Sequence, residues 1–589
     1  MVNIIKNLKL ILGRKQKIRI IILFLMMIFG ALLESIGIAL LPTLLSGLMS
    51  IDELEKNQYV IYICEFFEWN VEHAIIMLII LLIVLYVTKG LYTVLQCYVL
   101  YSFINNNRYR MQSQLMESYL NRDYSYYMNV RSGDVIQNLT NNIDFVFTAV
   151  SSLMNFFAEI VMIIIILGTI VIINPIFSIG VGGLLFILMM AVGHFIKPIM
   201  AKSGNQVNAG YKNMNKWILQ SIGGIKDIKI GQREDYFLEN YNYYGKITAK
   251  SRQKNAFYEN VPKSVYETVT MVSVLIILLL TFQYRNNFAS IIPQFAAFGV
   301  AVIKVIPSAN RLSTFRNSME YYSGGLKDVV TFILESQKEF IERENKKKEF
   351  NLKKVEAVKI SFDKCCELDH ITYKYPGGEK EILSDACMVI PIGKSVGIVG
   401  PSGAGKSTAA DILLGLLKPQ EGAVRSDGIN IEENYTSWLS HVGYIPQTIY
   451  MLDDDIKSNV AFGFNGMDIS EEKIWEALDE ACIGDFVRGL PQGLETNIGE
   501  RGLRLSGGQR QRLGIARALY GSPDILVFDE ATSALDNQTE RDIIESIDNL
   551  HGKKTLVIIA HRLTTIEKCD LVYKVENGTI SLEKDKSKK

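Results

Sequence analysis

Apolar residues gather in long runs in the first half of this chain and in short bursts in the second. The runs are Ile20–Leu48, Ala74–Ile104, Phe145–Ile173, Ile176–Met200, Thr268–Tyr284 and Phe288–Ile303. The first four hold one charged side chain each (Glu34, Lys89, Glu159, Lys197), and the last two hold none. A helix needs about 20 apolar residues to cross a bilayer core. Six segments of near-spanning length predict a helical membrane domain rather than the buried helices of a soluble core. The second half has another rhythm. Ser395–Val399, Ile525–Phe528 and Thr555–Ala560 read as short buried strands among helical stretches, the pattern of an α/β sheet.

The expected fold is therefore multi-domain: an all-α transmembrane domain of six helices joined to an α/β nucleotide-binding domain. The first covers 1–324, with helices at about 18–48, 74–104, 143–173, 176–200, 260–284 and 288–312. A Lys- and Glu-rich linker at 325–366 leads to the second, 367–583, and a short tail at 584–589.

Charge orients the spans. Lys6, Lys9, Arg14, Lys15, Lys17 and Arg19 precede the first run, whereas 49–72 holds only Lys56 among Asp52, Glu53, Glu55, Glu65 and Glu68. Positive residues stay on the cytoplasmic side, so the N-terminus is inside, and six spans return the second domain to that side. Lys+Arg and Asp+Glu both number 62. With no long basic block, nothing favours a nucleic-acid partner. Seven cysteines show no paired or metal-binding spacing, so free thiols are expected.

The chemistry sits at Gly400–Thr408, GPSGAGKST, which fits the phosphate-binding loop. Gly400, Pro401, Ser402, Gly403, Ala404 and Gly405 form a turn whose N–H groups point at an oxyanion. Lys406 reaches the β/γ-phosphates, and Ser407 places a hydroxyl on Mg²⁺. The helix opening at Thr408 favours the anion. Leu505–Gln509 (LSGGQ), Asp524–Asp536 (DILVFDEATSALD) and His561 follow downstream. This set, in this order, resembles the ATP-binding cassette of ABC transporters over about Glu367–Glu583.

The resemblance implies a role for each matching residue. Tyr375 stacks on adenine. Gln447, in GYIPQ, touches Mg²⁺ and the attacking water. Asp529 holds Mg²⁺ through water, Glu530 is the general base, and His561 contacts the γ-phosphate. Ser506, Gly507, Gly508 and Gln509 close over ATP bound by a second identical subunit, with Ser533–Asp536 across the same seam. ATP and Mg²⁺ are the implied cofactors. ABC exporters also carry short docking helices on two intracellular loops, for which Ser132–Asn141 and Lys216–Ile228 are the matching stretches.

Basic side chains in or near the spans are Lys89, Lys197, Lys263, Lys304 and Arg311. Snorkelling to lipid headgroups accounts for Lys197 and, with Glu267 four residues on, for Lys263. It accounts less well for Lys89 and Lys304, and a basic vestibule for an anionic substrate is the sharper reading. The stretch Lys304–Arg311, the acidic 49–72 and Tyr321-Tyr322 are similar to the bacterial lipid-linked oligosaccharide flippases of the PglK type. In that family cavity arginines engage the carrier's pyrophosphate. The matching positions are Lys89, Lys263, Lys304 and Arg311, three of them lysine, which keeps the charge and loses the bidentate fork. The amphipathic Tyr59–Trp69 matches a membrane-surface helix. The expectation is a homodimeric flippase of an anionic lipid-linked substrate in the bacterial inner membrane, in contact with membrane lipids. A general exporter of lipid, drug or peptide and an ATP-gated regulator without pumped cargo are the alternatives.

Overall fold

The structure is a computed structural model. It describes residues 6, 13–49, 71–173, 175–283, 305–335, 338, 359–464, 468–530, 547–560 and 566–586. Contacts divide the chain into two units, Met1–Arg122 with Val130–Asn345, and Asp123–Asn129 with Lys346–Lys589.

The described part of the first unit is helical. In chain order come α1 (Arg14–Met49), α2 (Val71–Leu120), the one-turn α3 (Tyr124–Tyr127, in the second unit), α4 (Ser132–Gln137), α5 (Ile143–Ile173), α6 (Pro175–Gly223), α7 (Ile225–Gly231) and α8 (Glu234–Gln283). A last helix, α9, spans 305–335. The 50-residue α2 and α8 are roughly 75 Å long at 1.5 Å per residue, about twice what a bilayer core requires. The apolar runs on these two helices are thus each one stretch of a longer helix with a polar extension.

Four helical segments among the described residues are long and apolar enough to cross a membrane: Arg14–Glu34, Ile75–Leu120, Ser132–Gly168 and Phe186–Gly223. Only 6% of the most apolar window in the second is buried within the protein. Those side chains require an apolar surrounding that the protein does not supply. The fifth run ends α8. The sixth run, Lys304 and Tyr59–Trp69 lie outside the described residues.

The two loop stretches matched to docking helices are continuous with long helices. Ser132–Asn141 is not a separate tip: α4 and the π-turn Asn138–Asn142 run directly into α5. Gly133 suggests a turn in the sequence. Here it lies in α4 against α6, where a Cβ would sit in ordinary contact, 3.4 Å from the Lys216 backbone nitrogen. Lys212 pairs with Asp134 at 2.9 Å, and Gln137 donates to Asn208 at 2.9 Å. A further one-turn helix, α3, lies just upstream. In the second loop Lys216–Gly223 continues α6, Gly224 breaks the helix, and α7 ends where Gln232 turns left-handed (φ 50°).

The second unit is built on two sheets. Strands β1 (Cys365–Tyr373), β2 (Leu383–Pro391), β4 (Glu421–Ser426) and β5 (Ile429–Asn430) form an antiparallel sheet ordered β2-β1-β4-β5. The larger sheet is ordered β10-β9-β3-β8-β7-β6, from β3 (Ser395–Val399), β6 (Val442–Ile445), β7 (Ile525–Asp529), β8 (Thr555–Ile559), β9 (Leu571–Glu576) and β10 (Thr579–Asp585). All but β10 run parallel. Helices α10 (Lys406–Leu413), α11 (Glu471–Glu480) and α12 (Gly507–Tyr520) accompany them. Because β3, β6 and β7 are parallel, their carboxyl ends share one edge, where α/β sheets bind ligands. Helix α9 reaches into the stretch expected to be linker, and Ile360, Phe362 and Cys366 are already buried in the cassette core. At the other end β10 extends to Asp585, into the expected tail.

Close helix approach in the membrane unit depends on Gly204 of α6. A Cβ there would lie 1.8 Å from the Tyr321 carbonyl oxygen of α9. Backbone cannot yield as a flexible side-chain end does, so Gly204→Ala must push the helices apart. Gly204→Ala is expected to lower the melting temperature by several degrees in a thermal-shift scan. Gly183→Ala, where a Cβ meets nothing within 4 Å, should match or exceed the parent.

Candidate functional site

The phosphate loop joins buried β3 to α10. Gly400, Gly403 and Gly405 take φ of 150°, 77° and 105°, conformations that side chains disfavour. Gly400 has a second constraint, because a Cβ would sit 2.2 Å from the Val575 carbonyl oxygen. Pro401, Ser402 and Gly403 form the exposed lip, and Ala404 N–H bonds the Pro401 carbonyl at 3.2 Å. Lys406 is only 5% exposed, and its Nζ donates to the carbonyls of Gly400 (3.0 Å) and Pro401 (3.1 Å). Its charge is thereby fixed beside the cradle.

The carboxylates arrive from β7. Ser407 Oγ donates to Asp529 Oδ1 at 3.2 Å, and Gln447 Nε2 donates to Glu530 Oε2 at 2.8 Å. Residues from α10, from the loop after β6 and from the end of β7 therefore meet at the shared sheet edge. Glu530 leaves β7 with φ 49°, uncommon for a non-glycine. Its N–H still bonds the Ile559 carbonyl at 3.0 Å, which anchors the turn to β8. Ser407, Asp529 and Gln447 bring oxygen donors beside the cradle, the chemistry a hard cation such as Mg²⁺ takes. Tyr375 meets Thr408 hydroxyl to hydroxyl at 2.9 Å and packs edge-on to Tyr373 with centroids 5.2 Å apart.

Ser506 N-caps α12 in a reciprocal capping box: Gln509 N–H bonds Ser506 Oγ at 3.2 Å, and Ser506 N–H bonds Gln509 Oε1 at 2.8 Å. Both side chains are committed to the helix start. The N–H groups of Gly507 and Gly508, which have no intrahelical acceptor, remain for an incoming anion. His561 and Ser533–Asp536 lie outside the described residues.

Two residues escaped the sequence reading. Tyr444, in the same GYIPQ motif as Gln447, bonds Asp529 through its hydroxyl. Burial, then the charge of Asp529, holds its phenol far above the ordinary range. Asp411 is a lone carboxyl on α10, one turn after Ser407 and otherwise followed by Ile412 and Leu413. Burial, then Asp529, pushes it up to about 6. Burial also raises Asp529, against the hydrogen bond from Ser407 and the charge of Lys406. A polar position interrupting an apolar helix was the available signal for Asp411.

Of the four basic positions Lys304 lies outside the described residues, and the other three sit on different helices, Lys89 on α2, Lys263 on α8 and Arg311 on α9. Lys89 on α2 pairs with Glu34 on α1 at 3.0 Å. Arg311 on α9 grips Glu159 on α5 with two bonds, 2.5 and 3.1 Å, and also bonds Ser308. Lys263 is exposed, with no ion pair among the described residues. Lys89 and Arg311 are thus paired across helices, which the sequence alone did not reveal. Each is neutralised by a carboxylate of a neighbouring helix, the usual state of intramembrane charge.

Comparisons with known proteins agree with this arrangement. A family model described as "ABC transporter transmembrane region" matches residues 20–300, and one described as "ABC transporter" matches 383–533. An uncharacterized ABC transporter ATP-binding protein of Sinorhizobium fredii is 27% identical over 507 residues, 85% of this chain and 83% of that one. An ATP-dependent lipid A-core flippase of Desulfotalea psychrophila is 29% identical over 464 residues, 77% of each chain. The fold is similar to that of a bacterial Atm1-family ABC exporter solved with ATP bound, with TM-score 0.73, 22% identity and coverage of 97% of this chain and 96% of that one.

Asp411 carries a pH dependence of stability whose sign is fixed. Its pKa is higher folded than unfolded, so the native state holds the proton more tightly. The cost of burying its charge is absent below about pH 4, the unfolded value, grows up to about pH 6 and is constant above. Asp411→Asn should therefore raise the melting temperature at pH 8 and lose that gain by pH 4.5. A difference that stays flat across this range contradicts the burial argument.

Proposed function

The chain belongs to the ABC transporter family, matched in both its membrane half and its cassette half, and we propose that it works as a homodimer flipping an anionic lipid, of the lipid-linked oligosaccharide kind, across the bacterial inner membrane. The observation that carries the ATP-driven part is the meeting of Ser407 with Asp529 and of Gln447 with Glu530 beside the phosphate cradle. Phosphoryl transfer requires little else of a protein than positioned charge and a positioned water. In this reading Glu530 takes the proton of the water that attacks the γ-phosphorus, and Gln447, bonded to Glu530, orients it. Lys406 neutralises the phosphates and His561 contacts the γ-phosphate. Mg²⁺, held by Ser407, Gln447 and Asp529 when bound, would offset charge on the bridging oxygens.

Dimer formation follows from the unfinished helix start at Gly507 and Gly508. In this reading it closes over ATP held by a second copy, and two trapped nucleotides favour one arrangement of the spanning helices. The lipid cargo has support of two kinds. The apolar helices bury little within the protein, and a relative of similar length is named a lipid A-core flippase. The oligosaccharide part rests on the likeness around Lys304–Arg311. The N-terminus and the cassette face the cytoplasm by the distribution of positive charge.

Reconstitution into liposomes tests the cargo. Lipid-linked oligosaccharide is expected to stimulate ATPase and to cross the bilayer with ATP. Stimulation and crossing by a lipid A-core lipid alone would replace the oligosaccharide reading with general lipid export. ATPase activity with no lipid moved would favour the regulator. Glu530→Gln should keep ATP binding in a filter or fluorescence assay while hydrolysis falls at least about 100-fold. Substantial turnover by that variant removes Glu530 from the role of base.

A further inference from the structure

The membrane unit contains an open-sided cavity of about 590 Å³ lined by α5, α6 and α9. Most of its wall is apolar, with Ile160, Ile164 and Leu167 from α5 and Phe186 and Met190 from α6. One end is different. Ser313 and Arg316 of α9 line it. Behind them the buried Tyr266 of α8 shares a 2.7 Å hydroxyl bond with Ser313, and the charge of Arg316 acts on that phenol. The guanidinium lies directly against α6 where Gly193 leaves room, for a Cβ there would sit 1.6 Å from Nη1.

Arg316 differs from three other cations of this half. Lys89 has Glu34, Arg311 has Glu159 and Lys197 has Glu320. Arg316 is half-buried, and among the described residues it donates no hydrogen bond and joins no ion pair. A guanidinium left without a counter-charge at the end of an apolar chamber is costly unless an anion meets it. Its planar fork suits phosphate. The apolar wall between Phe156 and Leu167 runs roughly 16 Å along α5, a length that matches a lipid tail rather than a free ion.

We propose that this cavity binds a phosphate-headed membrane lipid, its tail along α5 and α6 and its phosphate at Arg316 and Ser313, with Tyr266 holding Ser313 from behind. The inference rests on the anionic-lipid reading above and moves the headgroup from the neutralised Lys89 and Arg311 to Arg316.

The test is photolabelling of the full chain in phosphatidylcholine nanodiscs, with mass-spectrometric mapping of the label. The probe is phosphatidic acid carrying a diazirine on its acyl chain, and the control is diacylglycerol with the same chain. The phosphatidic acid probe should label peptides within 156–167 and 186–190. Arg316→Gln should reduce that labelling about tenfold, the worth of a charge-assisted bond, and Arg316→Lys should restore part of it. The control should label weakly and be indifferent to Arg316→Gln, and Ile164→Trp should block both by filling the chamber. ATP binding in the same samples reports that each variant is folded. Equal labelling of the parent and Arg316→Gln overturns the proposal. So does exclusion of both probes from the chamber, the result expected if a second copy covers it. Arg316-dependent labelling in a protein that moves no lipid in liposomes would sink the transport reading and leave this site standing. Lipid movement without such labelling would do the reverse.

Discussion

The bond from Ser407 to Asp529 joins the helix that holds the phosphates to the strand that carries the carboxylates. It can form only because β3 and β7 are parallel strands flanking β8, which puts their carboxyl ends at one edge. A register slip of one residue in β7 would turn Asp529 to the other face and bring Glu530 into its place. The burial of Val396, Ile398, Leu526 and Phe528 opposes that slip. Packing beneath the sheet thus sets the geometry of the chemistry above it. Tyr444 adds a second tie, from β6 to the same Asp529. Asp529 is therefore fixed from two sides, by α10 and by β6.

In the membrane half the governing constraint is the cost of charge. Glu34 with Lys89 and Glu159 with Arg311 offset one another between helices that are far apart in sequence. Such pairs fix which faces of α1 and α2, and of α5 and α9, turn toward each other. They also leave those cations little capacity for a substrate, since a ligand phosphate would have to displace a carboxylate already in contact. A cation without such a partner is the better receptor, which is why Arg316 changes the reading of this half.

Sequence reasoning found what is local. The phosphate loop, Asp529, Glu530, Gln447 and the LSGGQ start are contiguous motifs whose spacing carries their chemistry. The long apolar runs are equally plain, because a span must be apolar along its whole length. What it missed is held by contacts between distant segments. Glu34 and Glu159 stood in the sequence as isolated charges, and only helix packing makes them the partners of Lys89 and Arg311. Gly133 looked like a turn, yet it lies within α4, packed against α6 near Lys216. Arg316 was passed over because it lies beyond the apolar runs and next to polar residues. Its significance comes from the chamber walls on α5 and α6.

The capping box at Ser506 shows how a local rule bears on assembly. Ser506 and Gln509 each spend a side chain on the other's N–H, so the helix start is held open without help from the rest of the chain. No carboxylate stands in the first turn of α12, although one would stabilise a helix N-terminus. A start that is rigid, glycine-lined and free of negative charge is disposed to accept an anion rather than to supply one. The phosphate cradle of the same cassette already has its own helix, α10, and its own lysine. A single cassette therefore carries two anion-seeking helix starts, and pairing two copies head to tail would give each nucleotide one of each kind.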